Sequence, residues 1–218
     1  MSFAGMVWDL LGGLAVSVEI FVFTLLLALP LGFVVALGRL SRSRLLAATL
    51  RVYISVVRGT PLMLQIMFVY FAPYILFKLP LSHYPRFLAT VLAFALNYAA
   101  YFAEIYRGGI LSIDRGQHEA AAALGFTKGQ TFFRIVLPQV VKRVIPAVGN
   151  EVITLVKDTS LASVIGTVEM FTRAKQIVAS PNTPGMLALA AAGLFYYVFN
   201  YIVAFAMERA ERSLAYYQ

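Results

Sequence analysis

The chain has 218 residues, 61% of them hydrophobic and 13% charged, an apolar share above the roughly one half of soluble domains, so an integral membrane protein is expected in place of a water-soluble globule. The net charge of +8 does not call for nucleic acid, because the basic residues mostly flank long apolar blocks, where the inside-positive bias of membrane proteins accounts for them. The absence of Cys excludes disulfides, thiolate metal sites and thiol catalysis.

The first apolar block, about Leu10 to Leu37, is long enough to cross a bilayer core of ~30 Å with some tilt, and Pro30 is expected to kink it. It is too long for the apolar region of a cleavable signal and lacks a basic leader, so it is expected to remain as a first span. Glu19 is its one ionisable residue, expected near the interface or packed against a neighbour. Nothing before Arg39 is basic, whereas Arg39, Arg42, Arg44, Arg51 and Arg58 follow in close order, which places the N-terminus outside and this first loop inside. A second span is expected after Arg58-Gly59-Thr60-Pro61, with Thr60 as N-cap and Pro61 in the first turn, running to about Phe77. Pro73, Lys78, Pro80, His83 and Pro85 mark an outer loop.

The third span is expected from about Arg86 to Tyr106. Asn97, Tyr101 and Glu104 stand at i, i+4 and i+7 and share one face, Asn97 near the bilayer midplane. Glu104, nearer the cytoplasm, is expected to pair with Arg107 three residues on.

Between Asp114 and Pro138 lies DRGQHEAAAALGFTKGQTFFRIVLP. Asp114 with Gln117 and Thr127 with Gln130 have capping-box spacing, and Gly125 between them suits a left-handed C-cap, so the stretch reads as helix, sharp turn and second helix. The alanines at 120 to 123 make the first helix slim enough to sit in a groove of another protein, with Leu124 and Phe126 as anchors. The order EAA-x3-G-x9-I-x-LP, from Glu119 to Pro138, resembles at every defined position the cytoplasmic coupling loop of permease subunits of ATP-binding-cassette (ABC) importers. YISVVRGTPLMLQIMFVYF, from Tyr53 to Phe71, and NEVITLVKDTSLASVIG, from Asn150 to Gly166, are similar to the corresponding regions of the polar amino-acid branch of that family, the permeases for histidine, glutamate, glutamine, arginine and opines.

The fourth apolar segment, roughly Val144 to Val156, is short and polar for its depth. Glu151, Thr154 and Asp158 form an i, i+3, i+7 stripe, and Thr159 follows. A charge at a helix centre costs ~2.5 to 3.5 kcal/mol on insertion scales, so the stripe should face protein, water or substrate. Two readings stay open: these acids line a transport pathway, or Lys157 pairs with Glu151 or Asp158 and merely fixes helix packing. Val168 to Ala179 is partly amphipathic and expected on the outer side, before a turn from Pro181 to Pro184; a last span, about Met186 to Met207, carries no ionisable residue.

The expected fold is therefore an all-α integral membrane protein of five transmembrane helices, N-terminus outside and C-terminus inside, with 13 of its 18 basic residues on the inner side. It forms one membrane domain, residues 1–218, whose cytoplasmic loop spans about 108–138. No G-x4-G-K-[ST] sequence is present, so nucleotide chemistry is expected on another chain. His118-Glu119 begins a metal-binding H-E-x-x-H pattern, but Ala122 stands where its second histidine belongs. The Gly-Gly pairs at 12–13 and 108–109 are expected to serve packing or turns.

The resemblance implies a type I ABC importer permease, not itself an enzyme, in a bacterial or archaeal plasma membrane. Its implied partners are two ATP-binding subunits that carry ATP and Mg, a second permease subunit, identical or different, an external solute-binding protein and an amino-acid substrate. Asn97, Tyr101, Glu151, Thr154, Asp158 and Thr159 are the expected substrate-binding residues; Gln117, Glu119, Ala120, Ala121, Leu124, Gly125 and Phe126 are the expected contacts to the ATPase. The competing reading is a secondary transporter or channel in which Glu151, Lys157 and Asp158 carry protons or ions; the lack of an internal repeat counts against it.

Overall fold

The computed structural model describes residues 2–81, 85–181 and 185–214; His83 and Pro184 lie outside the described residues. In chain order the helices are α1 (Phe3–Arg39), α2 (Arg44–Arg58), α3 (Leu62–Phe77), α4 (Arg86–Leu111), α5 (Arg115–Ala123), α6 (Lys128–Gln130), α7 (Leu137–Asp158), α8 (Met170–Ala179) and α9 (Gly185–Leu214). Thr131–Val136 forms π turns that join α6 to α7, and Thr159–Ile165 is a 3₁₀ extension of α7.

Three helices, α1, α4 and α9, are long and apolar enough to cross a membrane, and α2 with α3 adds a fourth such unit, bent by 110°. α4 is the hub: it packs most extensively on α1 and also meets α2, α3 and α7. The α1–α4 seam is made by small residues. Ala28, Gly32 and Ala36 of α1 and Ala89, Ala93, Ala99, Ala100 and Ala103 of α4 are all buried, which lets the two backbones approach closely. α1 passes Pro30 as one helix, and Glu19 is exposed on its surface, not packed against another helix of this chain.

The stretch read as the first inner loop is mostly the helix α2. Its residues divide into three stripes: Leu50, Tyr53, Ile54 and Val57 pack inward; Arg44, Arg51 and Arg58 are exposed on a second side; Leu45, Val52 and Val56 are exposed on a third. Thr60 does not cap α3: its hydroxyl donates to the Val56 carbonyl at 2.9 Å and so closes α2, while Pro61 takes the N-cap position without a side-chain acceptor. Pro73 lies inside α3, which continues to a left-handed Lys78 (φ 56°).

The fourth segment also differs. Helical structure runs without a gap from Lys128 through Pro138 to Asp158. Proline cannot donate to the carbonyl one turn back and crowds it; the wider π turns immediately before it relieve that conflict. α8, expected on the outer side, starts two residues later than Val168 and docks against the first half of α1 and against α9. There Gly13 is required by close approach, since a Cβ would lie 2.6 Å from the Met170 Cα; Gly109 likewise presses against Val144.

Candidate functional site

Two places carry the sequence expectations. The first is a cavity of about 140 Å³ lined by Thr60, Leu62, Asn97, Tyr98, Tyr101, Glu151, Thr154 and Asp158. α4 contributes Asn97, Tyr98 and Tyr101; α7 contributes the acid stripe; Thr60 and Leu62 come from the sharp bend between α2 and α3. Five of the six expected binding residues thus meet in one space. Thr159 does not: it is fully buried, and its hydroxyl donates to the Val156 carbonyl at 2.8 Å.

The hydrogen bonds around the cavity are few and directional. Tyr98 donates its hydroxyl to Asp158 Oδ2 at 2.8 Å. The Asn97 amide donates to Gln65 Oε1 at 3.0 Å, and the Gln65 amide donates in turn to the Val57 carbonyl (2.8 Å) and to Thr60 Oγ1 (2.8 Å). Gln65 therefore answers backbone oxygens freed by the bend and ties the bend to the cavity wall. Among the described residues no ion pair joins Lys157, which is exposed, to Glu151 or Asp158. The internal-pair alternative is thereby not what the fold adopts. No hydrogen bond reaches Glu151 among the described residues.

Glu104, by contrast, is closed off as expected: Arg107 binds it at 2.7 Å, and Arg39 of α1 approaches to 3.7 Å. Tyr98, Thr60, Leu62 and Gln65 were not expected at the cavity from the sequence. Gln65 had a signal, being the one amide within a long apolar run, and Tyr98 stands three residues before Tyr101, on the adjoining helical face. Thr60 and Leu62 had none, because their place follows from the bend.

The second place is the 114–138 segment. Asp114 is the N-cap of α5, but its carboxylate accepts from Gly116 N at 2.6 Å, and Gln117 instead accepts from Gln139 of α7 at 3.3 Å. The first capping box is therefore incomplete; the second, Thr127 with Gln130, is complete. Between them Gly125 adopts φ +79°. Gly125 N donates to the Ala122 carbonyl and Phe126 N to the Ala121 carbonyl, both at 3.0 Å, which is the double bond of a Schellman turn. Glu119 and Ala120 are exposed and Leu124 is 75% exposed, while Ala121 is buried against the chain's own helices. Phe126 lines a cavity of about 430 Å³ with His118, Ala122, Lys128, Thr131 and Phe132.

A helical membrane chain with a polar, acid-lined cavity between its helices and an exposed helical hairpin between two of them has the layout of a transporter's membrane subunit. Residues 28–216 match the family described as binding-protein-dependent transport system inner membrane component, and the chain belongs to that family. It is 42% identical over 205 residues to the arginine transport system permease protein ArtQ of Bacillus subtilis, covering 94% of this chain and 92% of that protein. It is also 37% identical over 167 residues to the glutamine transport system permease protein GlnP of Escherichia coli, covering 75% of this chain and 73% of that protein. The crystal structure of an amino acid ABC transporter with histidines superposes with a TM-score of 0.86 at 30% identity, covering 98% of this chain and 99% of that one. The protein is a multi-pass permease subunit of an amino-acid ABC importer, and family membership implies ATPase and binding-protein partners.

Proposed function

We propose that this chain forms half of the translocation pathway of an ATP-driven importer for a polar, cationic amino acid. The observation that carries this reading is the cavity itself: two acids, Glu151 and Asp158, face it from α7, and among the described residues neither forms an ion pair. Burying unpaired negative charge is costly, and a guest with a positive side chain supplies what is missing. Asn97, Tyr101 and Thr154 offer polar contacts to its amino-acid end. The similarity to an arginine permease agrees with this reading, while the glutamine permease makes the competing substrate class concrete.

The topology proposed with it has five spans, α1, α2–α3, α4, α7 and α9, with the N-terminus outside. The hairpin of α5 and its Schellman turn then lies inside, where Leu124, Glu119 and Ala120 present a slim surface to an ATPase subunit. Two such permease subunits, two ATPase subunits that hold ATP and Mg, and an external solute-binding protein complete the complex. In the reconstituted complex, labelled arginine uptake is expected to fall with excess lysine or histidine and barely with glutamate. Glu151→Gln is expected to weaken arginine uptake at least tenfold, the scale of losing one buried ionic contact. Undiminished uptake in that variant removes Glu151 from the site. For the hairpin, Gly125→Val forces a β-branched residue to a positive φ at a cost of about 1 to 2 kcal/mol. Uptake should fall while the protein still reaches the membrane; full ATP-dependent uptake would separate the turn from coupling.

A further inference from the structure

Arg58 ends α2 directly before the 110° bend whose next residues, Thr60 and Leu62, line the cavity. Its guanidinium stands over the Tyr101 ring, 5.0 Å from the centroid, a cation–π arrangement on a side chain that itself forms cavity wall. Two nearby cations, Arg39 and Arg107, converge on Glu104. Arg58 has no carboxylate within ion-pair distance among the described residues. Tyr101, on which it rests, lines the same cavity as Glu151 and Asp158.

We propose that Arg58 is a tethered cation of the cavity, resting on Tyr101 and partly offsetting the acids of the empty site, so that it opposes the binding of a cationic substrate and favours its release. This rests on the cationic reading of the same cavity. The physical reason is charge balance. An empty site with Glu151 and Asp158 unpaired is strained electrostatically, and a nearby guanidinium lessens that strain without closing a salt bridge too tight to open. Once a substrate cation sits at Glu151, the same guanidinium repels it. Placement at the bend gives the device a lever, because any change of angle between α2 and α3 moves Arg58 relative to the cavity.

The test is equilibrium binding of labelled arginine and labelled glutamine to the purified full complex without its solute-binding protein. Arg58→Gln should bind arginine about tenfold more tightly, the order expected for removing one charge at several ångströms in a partly screened site. Glutamine affinity should change less than about twofold, because the repulsion acts on a net charge that glutamine lacks. Arg58→Lys, which keeps the charge but not the planar stacking group, should stay near the wild-type arginine affinity. Unchanged or weaker arginine binding in Arg58→Gln overturns the proposal, as does an equal change for both ligands, which would mark Arg58 as a merely structural cap. Glu151→Gln in the same assay separates the two readings: if it leaves wild-type arginine binding intact, the cationic site itself fails; if it abolishes binding while Arg58→Gln changes nothing, only the tethered cation fails.

Discussion

Glu169 and Glu151 are both acids set among apolar helices, and the fold treats them in opposite ways. Glu169, at the N-cap of α8, is fully buried and accepts four hydrogen bonds: from Phe171 N and Thr172 N at 2.7 Å each, and from the Thr172 and Tyr196 hydroxyls at 2.9 Å each. Beside it Met170 N donates to Ser17 Oγ at 3.3 Å, and α1 comes so near that position 13 has to be glycine. Glu151 is half-buried, borders a cavity and has no hydrogen bond among the described residues. The difference teaches how to tell an acid that builds the fold from one that waits for a ligand: the first is saturated by the chain's own donors, and the second is not.

Substitutions at the two places put that contrast at risk. The largest effect is expected for Glu169→Ala, which removes the acceptor of two backbone N–H groups and of the Thr172 and Tyr196 hydroxyls and should cost roughly 3 kcal/mol. It should appear as a clear drop in the thermal midpoint of the purified complex. A midpoint equal to wild type would show that water replaces the carboxylate and that the saturated acid is not structural.

Gly13→Ala is expected to come next, at about 1 to 3 kcal/mol, because the added methyl meets backbone and not a flexible side-chain end, so α8 must shift away from α1. Protease sensitivity of the 170–181 region is the direct readout; unchanged protection would mean that the seam has slack. The smallest stability effect belongs to Glu151→Gln, within about 0.5 kcal/mol of wild type. Removing a charge that lacks a partner relieves desolvation and breaks no bond within the chain. Destabilisation on the scale of Glu169→Ala would erase the contrast and make Glu151 a structural acid.

The sequence by itself determined what depends on neighbours within one or two helical turns. The hairpin turn was legible because Gly125 and the Thr127–Gln130 box are satisfied by bonds no longer than a turn. The acid stripe was legible because i, i+3 and i+7 spacing alone puts Glu151, Thr154 and Asp158 along one side of α7. Ion pairing of Glu104 with Arg107 followed from the same short range. Tertiary structure decided the rest. Tyr98 meets Asp158 across 60 residues of chain and Asn97 meets Gln65 across 32. Glu169 collects a donor from Tyr196, 27 residues on. Thr159, next to the stripe in sequence, turns into the core because the helix tightens to 3₁₀ just there. α2, counted as a loop for its arginines, became a helix whose inward stripe needs α1 and α4 to cover it. Periodicity fixes which side chains share a face, but only packing of one helix on another fixes what that face meets, and the cavity is made of such meetings.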